Sequence, residues 1–358
     1  MNTVSLIMAV FALIGALDRI IGNKFGLGKE FEKGFLLLGT LSLSMIGMII
    51  ISPLIAKILT PFSNFVYNTF NIDPSIIPAT LFANDMGGAP LAKEMLKNSD
   101  IGMFNAMVVS SMMGATVSFT VPYALGVLKK EKHKDLLLGL LCGIVTVPFG
   151  ALVSGIILKI HIGVLLLNLL PLILFSLVVA LGLLFIPSIC VKIFNILGII
   201  IKIIITFGLG LGILKFLTGI EFIKGLNSIE EGTMICLNAA IVMSGAFPLL
   251  AIISKLISKP LKHIGKFLRI NEKSTLGFIS TLATNTTTFE MMNEMDSKGS
   301  VLNSAFAVSA SFVLADHLAF TLAFEPKYLF SMMTAKIISG IFAVVFATLI
   351  YRRIKPAE

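Results

Sequence analysis

Acidic, amide and imidazole side chains interrupt two long apolar stretches of this chain, and these side chains have the clearest chemical potential. Asn84 and Asp85 follow one apolar run, and Asp316 and His317 lie inside the apolar run 301–324. A carboxylate at bilayer depth costs about 2.5–3.5 kcal/mol on insertion scales, so it usually has a partner or a task. We expect Asp85 and Asp316 to bind a cation or an amine. The simpler alternative for Asp85 is a loop residue outside the membrane.

A second polar group follows near 200 residues after Asn84, where Asn285 and Thr286 precede Phe289. The amides of Asn84 and Asn285 and the hydroxyl of Thr286 can serve an ammonium or an alcohol group. Phe289 adds an aromatic face for a cation. Threonine also packs between membrane helices. His317 is a proton-sensitive gate, a second hydrogen-bonding wall of the site or a structural histidine.

Composition decides the class of protein that must position these residues. Of 358 residues, 56% are hydrophobic and 13% are charged, whereas a soluble domain has about 25% charged residues. About 20 apolar residues span a bilayer, so the long apolar runs predict an all-α polytopic membrane protein. The net charge of +9 is concentrated in short loops, as in cytoplasmic loops of membrane proteins. We therefore expect a lipid bilayer, and no nucleic acid, as the partner.

Eleven apolar segments are predicted, at 4–22, 35–60, 75–97, 103–128, 136–158, 163–186, 196–218, 233–257, 275–295, 301–324 and 330–351. The first five correspond to the last five at an offset near 200 residues. The stretch Pro61–Ala83 precedes Asn84 as Pro260–Thr284 precedes Asn285. We divide the chain into repeat one (1–162), a linker helix (163–190) and repeat two (191–358), which form a single inseparable membrane domain.

Loop charges give the relation between the two repeats. The predicted loop 61–74 carries only Asp73, whereas the matching region 255–273 is basic, with Lys259, Lys262, Lys266 and Arg269 among its charges. Matching loops therefore prefer opposite sides of the membrane, because basic loops stay in the cytoplasm. This pattern predicts an inverted repeat, with the solute site near the midplane where the repeats meet.

Segments 75–97 and 275–295 are predicted to be re-entrant or broken helices. The first contains Gly87-Gly88-Ala89-Pro90, and the second has a short apolar stretch before Asn285. Broken backbone at membrane depth is tolerated only where it is buried in protein or lines a wet cavity. We expect both breaks to meet near the site. Two charges receive ordinary roles, Asp18 as an interfacial partner of Arg19 and Lys202 as a snorkelling lysine.

Four stretches resemble the bacterial ethanolamine permease family of the ethanolamine utilisation system. They are FANDMGGAPLAKEM (82–95), SSMMGATVSFTVPYALG (110–126), LGLLCGIVTVPFG (138–150) and SAFAVSASFVLADHLAF (304–320). The resemblance covers nearly the whole chain. It implies a multi-pass protein of the bacterial cytoplasmic membrane that takes up ethanolamine for a cobalamin-dependent lyase pathway housed in microcompartments.

A protonated ethanolamine suits the predicted site, because the core of the site has acidic residues and, by prediction, no basic one. Neither a metal, a cofactor nor a catalytic residue is predicted, since the three cysteines (Cys142, Cys190 and Cys236) lack metal-ligand spacing. The sequence leaves open a proton- or sodium-coupled carrier of another small polar solute. An intramembrane enzyme that uses Asp85 and Asp316 as an acid–base pair is the alternative from another class. The oligomeric state also stays open, a homo-oligomer included.

Overall fold

Helices account for all the regular secondary structure in the described part of the chain. The computed structural model describes residues 3–354, except the side chains of 257–262 and 264; Lys259 and Lys262 therefore lie outside the described side chains. The α-helices are α1 (Thr3–Ile20), α2 (Leu27–Leu36), α3 (Leu38–Phe70), α4 (Ile76–Leu81), α5 (Gly88–Met95), α6 (Ser99–Phe104), α7 (Val121–Val127), α8 (His133–Ile157), α9 (Ile162–Phe185), α10 (Pro187–Thr218), α11 (Ile229–Leu268), α12 (Glu272–Ala283), α13 (Asn285–Met291), α14 (Ser297–Ala310), α15 (Asp316–Phe324) and α16 (Leu329–Ile354).

Eight helices or continuous helical stretches between residues 3 and 354 are long and apolar enough to cross a bilayer, which makes this a multi-pass membrane protein. Two of them run further than predicted. The region 61–74, predicted as a loop, is helical up to Phe70, and the basic region 255–273 is helical up to Leu268. Each helix ends at a left-handed residue, Asn71 (φ 54°) or Arg269 (φ 52°), the usual conformation of a helix C-terminus.

The predicted interruptions of 75–97 and 275–295 are present, between α4 and α5 and between α12 and α13. A third interruption was not predicted. The run 301–324, expected to be one continuous segment, breaks between α14 and α15. Phe312 adopts a positive φ of 63°, and its N–H donates to the Thr281 carbonyl at 3.1 Å, while the Leu314 N–H donates to the Leu282 carbonyl at 2.9 Å. Asp316 therefore begins a helix instead of lying inside one.

The matching stretch of the first half has no such break. Residues 99–127 form one helical stretch that includes wide π-helical turns at 105–114 and 116–120. These turns approach the break after α4 closely, since a Cβ on Gly114 would overlap the Phe82 carbonyl oxygen. Only glycine permits this approach, and π-turns are frequent at functional sites.

Small residues hold the remaining helices together, as is usual in membranes. Helix α8 packs on α14 and α16, where Gly139 faces the Val301 carbonyl and Gly150 faces the Ala335 carbonyl. Helix α1 packs on α11, and α10 packs on α3. Asp18 does not pair with Arg19, contrary to prediction: its carboxylate accepts the N–H groups of Phe25, Leu27 and Gly28 and so fixes the start of α2.

Candidate functional site

The break after α4 is a sharp turn that places Asn84 and Asp85. Asn84–Met86 form a single 3₁₀ turn, and Gly87 follows with φ 105°, a conformation that side chains other than glycine rarely adopt. The N–H of Ala83, the residue before this turn, donates to Ser118 Oγ at 3.1 Å. The π-helical turn 116–120 therefore holds Ala83 in place. The turn is therefore fixed both by glycine and by a long-range hydrogen bond.

The third interruption brings two further predicted residues to this turn. His317 Nε2 lies 3.7 Å from Asp85 Oδ1, and the side chains of His317 and Asp85 are only 2% and 14% exposed. Asp316, the first residue of α15, lies close enough to Asp85 for their charges to interact. Two places that are far apart in the sequence thus contribute to one group, which we call the acidic cluster (Asp85, Asp316 and His317).

Asn84 carries unused hydrogen-bonding capacity beside the acidic cluster. It is fully buried, and neither its amide nitrogen nor its amide oxygen has a hydrogen-bond partner within residues 3–354. The Nδ1 atom of His317 is buried and unpartnered in the same way. A buried polar atom without a partner costs about 1–3 kcal/mol, so each of these atoms is a candidate contact for a polar ligand.

The break between α12 and α13 is better satisfied. Asn285 is fully buried, and its Nδ2 donates to Thr120 Oγ1 at 2.9 Å, while its Oδ1 has no partner in the described structure. Thr286 is half-buried, and its hydroxyl bonds to that of Thr284 at 2.8 Å. Phe289 is fully buried in the main hydrophobic core. No hydrogen bond or ion pair joins Thr286 or Phe289 to the acidic cluster among the described residues.

One helical stretch connects the two breaks. Within the π-helical turn 116–120, Ser118 bonds to the first break through Ala83, and Thr120 bonds to the second through Asn285. Thr116 in the same turn donates to the Val308 carbonyl of α14 at 2.9 Å. The turn 116–120 therefore contacts every interrupted helix pair and fixes the breaks relative to one another.

The sequence prediction missed Lys336, and its expectation of a site core without a basic residue is wrong. Lys336 on α16 is fully buried, and its Nζ donates to the Ser111 carbonyl in the π-helical turn 105–114. Its charge interacts with those of Asp85 and His317. The available signal was a single charge inside the apolar run 330–351, which is as unusual as Asp316 in its own run.

His, Cys, Asp and Glu side chains are the possible metal ligands in the part of the chain that the structure describes. No group of three or more His, Cys, Asp or Glu side chains there could hold a metal ion, and all three cysteines are free and buried. A cavity of about 150 Å³ is lined by other residues, including Asp100, Ile160 and Tyr328. The acidic cluster and Asn84 thus form a buried arrangement of charged and hydrogen-bonding groups.

Comparison with known proteins agrees with the resemblance noted in the sequence. The family model described as "Ethanolamine utilisation protein, EutH" matches residues 1–350. The chain belongs to the EutH family. A protein of Listeria monocytogenes named "Probable ethanolamine permease EutH" is 43% identical over 94% of this chain and 91% of its own length. A Salmonella typhimurium protein of the same name is 36% identical over 98% of this chain and 96% of its own length.

A third relative, from Bacillus subtilis, is named "Uncharacterized protein YxeR" and is 37% identical over 97% of this chain and 94% of its own length. No solved structure matches the chain. The names of the Listeria and Salmonella relatives concern transport, whereas the Bacillus name assigns no function.

Proposed function

We propose that this protein is a permease that imports ethanolamine across the bacterial cytoplasmic membrane, with its substrate site at the first break. The observation that carries the proposal is the unpaired amide of Asn84 beside the carboxylates of Asp85 and Asp316. Membership of the EutH family and relatives named as probable ethanolamine permeases support the same substrate.

Ethanolamine has an ammonium at one end and a hydroxyl at the other, and the site offers a partner for each. Asp85 and Asp316 attract the ammonium, which stays protonated near neutral pH like a lysine side chain. Asn84 has a free acceptor and free donors for the hydroxyl. A positively charged substrate also gains about 2.3 kcal/mol per 100 mV from an inside-negative potential, so uptake needs no coupling ion.

We further propose that residues 1–162 and 191–358 are inverted repeats and that 163–190 link them, although α10 already begins at Pro187. Reciprocal packing supports this division, since the first helix of each half packs on the next long helix of the other half, α1 on α11 and α10 on α3. The two breaks then belong to re-entrant segments that enter from opposite faces. Inverted repeats commonly place the solute site at such discontinuous helices.

A coupled carrier of another small polar solute is the second candidate. The Asp85–His317 contact of 3.7 Å favours it, because a carboxylate–imidazole pair can take up and release a proton. The names of the relatives point to transport rather than to an intramembrane enzyme.

Uptake of labelled ethanolamine into proteoliposomes tests the proposal. We expect unaltered ethanolamine to accumulate, and a potassium diffusion potential, inside negative, to speed uptake at constant pH. Ethylamine lacks the hydroxyl and ethylene glycol lacks the ammonium, so each should compete poorly. A chemically converted product would indicate the enzyme. Uptake that ignores voltage and follows the free-base concentration would contradict transport of the ammonium, and a requirement for a proton or sodium gradient would favour the coupled carrier.

A further inference from the structure

Lys336 is placed unlike the other lysine in an apolar membrane helix considered above. Lys202 on α10 is exposed on the outer surface of the helix bundle, as expected of a lysine that extends its ammonium toward the membrane surface. Lys336 on α16 is fully buried, and its Nζ contacts the Ser111 carbonyl. A buried charge is expensive unless other charges or dipoles compensate for it, so a lysine kept in this position is expected to have a function.

The partner of Lys336 is an electrostatic one. Within residues 3–354 no ion pair joins its Nζ to a carboxylate. The turn 105–114, whose Ser111 carbonyl accepts its hydrogen bond, packs against the Asn84–Met86 turn, and this packing brings the charge of Lys336 near that of Asp85. Asp85 therefore has a resident cation nearby without being neutralised by direct contact. This leaves the carboxylate oxygens of Asp85 accessible to another positive group.

The charges in and around the acidic cluster then add up to one missing cation. Asp85 and Asp316 contribute two negative charges and the buried Lys336 contributes one positive charge, with His317 counted as neutral. Lys33 also acts on Asp316, but its side chain is 56% exposed, so solvent screens its charge and it is not counted in the sum. One monovalent ammonium brings the sum to zero. Without Lys336, the same two carboxylates would attract either two monovalent cations or one divalent amine.

We propose that Lys336 is a resident cation that balances one carboxylate of the site, so that the permease selects a single monovalent amine and needs no co-transported cation. This inference rests on the proposed function. Lys336 is thus a specificity-determining residue: it occupies the place that a coupling cation would otherwise fill.

The test is to remove the two opposite charges singly and together. Uptake is measured in proteoliposomes for Lys336→Met, for Asp85→Asn and for the double variant. The single variants change the sum of the site to minus two and to zero, respectively, whereas the double variant restores minus one. We expect the double variant to take up ethanolamine at least about fivefold faster than either single variant, a non-additive effect typical of coupled residues. We also expect Lys336→Met to gain uptake of the divalent amine 1,3-diaminopropane relative to ethanolamine.

Lys202→Met is the matched control, because it removes a lysine from an apolar helix at an exposed position; it should leave the preference for ethanolamine unchanged. The inference is overturned if the double variant is no faster than the slower single variant, or if Lys336→Met keeps the wild-type preference for ethanolamine over 1,3-diaminopropane. Either result is expected if Lys336 carries no charge. A further outcome is that neither Lys336→Met nor Lys336→Gln folds. In that case a folded double variant, Lys336→Met with Asp85→Asn, supports the inference, and a double variant that also fails to fold overturns the inference. Failure of wild-type protein to take up ethanolamine would instead reject the proposed function.

Discussion

The two broken segments of the molecule occupy similar places in the two halves of the chain but differ in what they leave unsatisfied. In the first, residues 76–95, the amide of Asn84 has no partner among the described residues and Asp85 follows it. In the second, residues 272–291, Asn285 donates to Thr120 and a threonine follows it. The first break therefore resembles a binding turn, and the second resembles a support for it.

The helices that follow the two breaks differ in the complementary way. Residues 99–127 continue without interruption through π-helical turns, whereas α14 and α15 separate before Asp316. The additional break in the second half is what brings Asp316 and His317 to Asp85. Under the proposed function, one half therefore contributes the binding turn with Asn84 and Asp85, and the other contributes Asp316 and His317 beside it.

Removal of the first-break carboxylate should have the largest effect. We expect Asp85→Asn to slow ethanolamine uptake at least about 30-fold, because loss of one partner of a desolvated charge pair costs about 2–5 kcal/mol. Asp316→Asn should be impaired in the same direction. Glu294→Gln is the control, since Glu294 is 64% exposed and pairs with Lys273 at 3.0 Å. Near-normal uptake by both aspartate variants at matched expression would remove the carboxylates from the proposed site.

The second-largest effect is expected from a methyl group added where the first break and the π-helical turns lie closest together. A Cβ on Gly114 would overlap the Phe82 carbonyl oxygen, so Gly114→Ala must displace backbone at a cost of about 1–3 kcal/mol. We expect about tenfold slower uptake or a lower melting temperature. Gly126→Ala on the same helical stretch meets no atom within 4 Å and should be neutral or slightly stabilising. Equal behaviour of the two variants would show that the close approach is not required.

Local sequence signals predicted the break between α4 and α5 and the break between α12 and α13. Long-range contacts explain the third break, before Asp316, which the sequence did not reveal. Gly87 needs a positive φ, and Asn285 follows a short apolar stretch, so each break has a residue that marks it. The break before Asp316 contains neither glycine nor proline. It depends on the carbonyls of Thr281 and Leu282, which lie about 30 residues away and accept hydrogen bonds from Phe312 and Leu314.

Charged residues show the same limit of the sequence. Asp85, Asp316 and His317 stood out singly as polar residues in apolar runs, but only the folded chain shows that they meet. Lys336 was overlooked although its run is equally apolar. Asp18 was assigned a neighbouring partner, whereas its carboxylate caps backbone N–H groups of the following turn, Phe25 among them. Such a contact depends on turn geometry, which charge patterns along the sequence do not encode.

Asn84 in the first break and Asn285 in the second allow the two breaks to be compared with identical substitutions. Asn84→Ala removes an unpaired amide, so we expect the KM for ethanolamine to rise about tenfold with little loss of stability. Asn285→Ala leaves the Thr120 hydroxyl buried without its amide partner, so we expect a destabilisation of about 1–3 kcal/mol and a smaller change in KM. Similar KM values for both variants would contradict the distinction between a binding turn and a support.

The smallest effects on uptake are expected where the halves contact each other at the ends of the broken segments, away from the proposed site. At one end, the Lys132 ammonium donates to the Met295 carbonyl and Ser297 Oγ donates to Asp135 at 2.8 Å. At the other end, Asp100 and Lys327 face each other at 3.8 Å with side chains 74% and 66% exposed. The first end is therefore held together more tightly than the second.

Substitution of the two lysines separates these ends. An exposed ion pair contributes about 0–1 kcal/mol, so Lys327→Gln should change the melting temperature and the uptake rate little, by less than about twofold for the rate. Lys132→Gln removes a charge-assisted hydrogen bond to a half-buried carbonyl, which is worth about 1.5–3 kcal/mol, and should lower the melting temperature measurably. Thermal unfolding of both variants in detergent measures the difference. A larger destabilisation by Lys327→Gln would show that the end at Asp100 is the tighter one, and the contrast between the two ends would then be reversed.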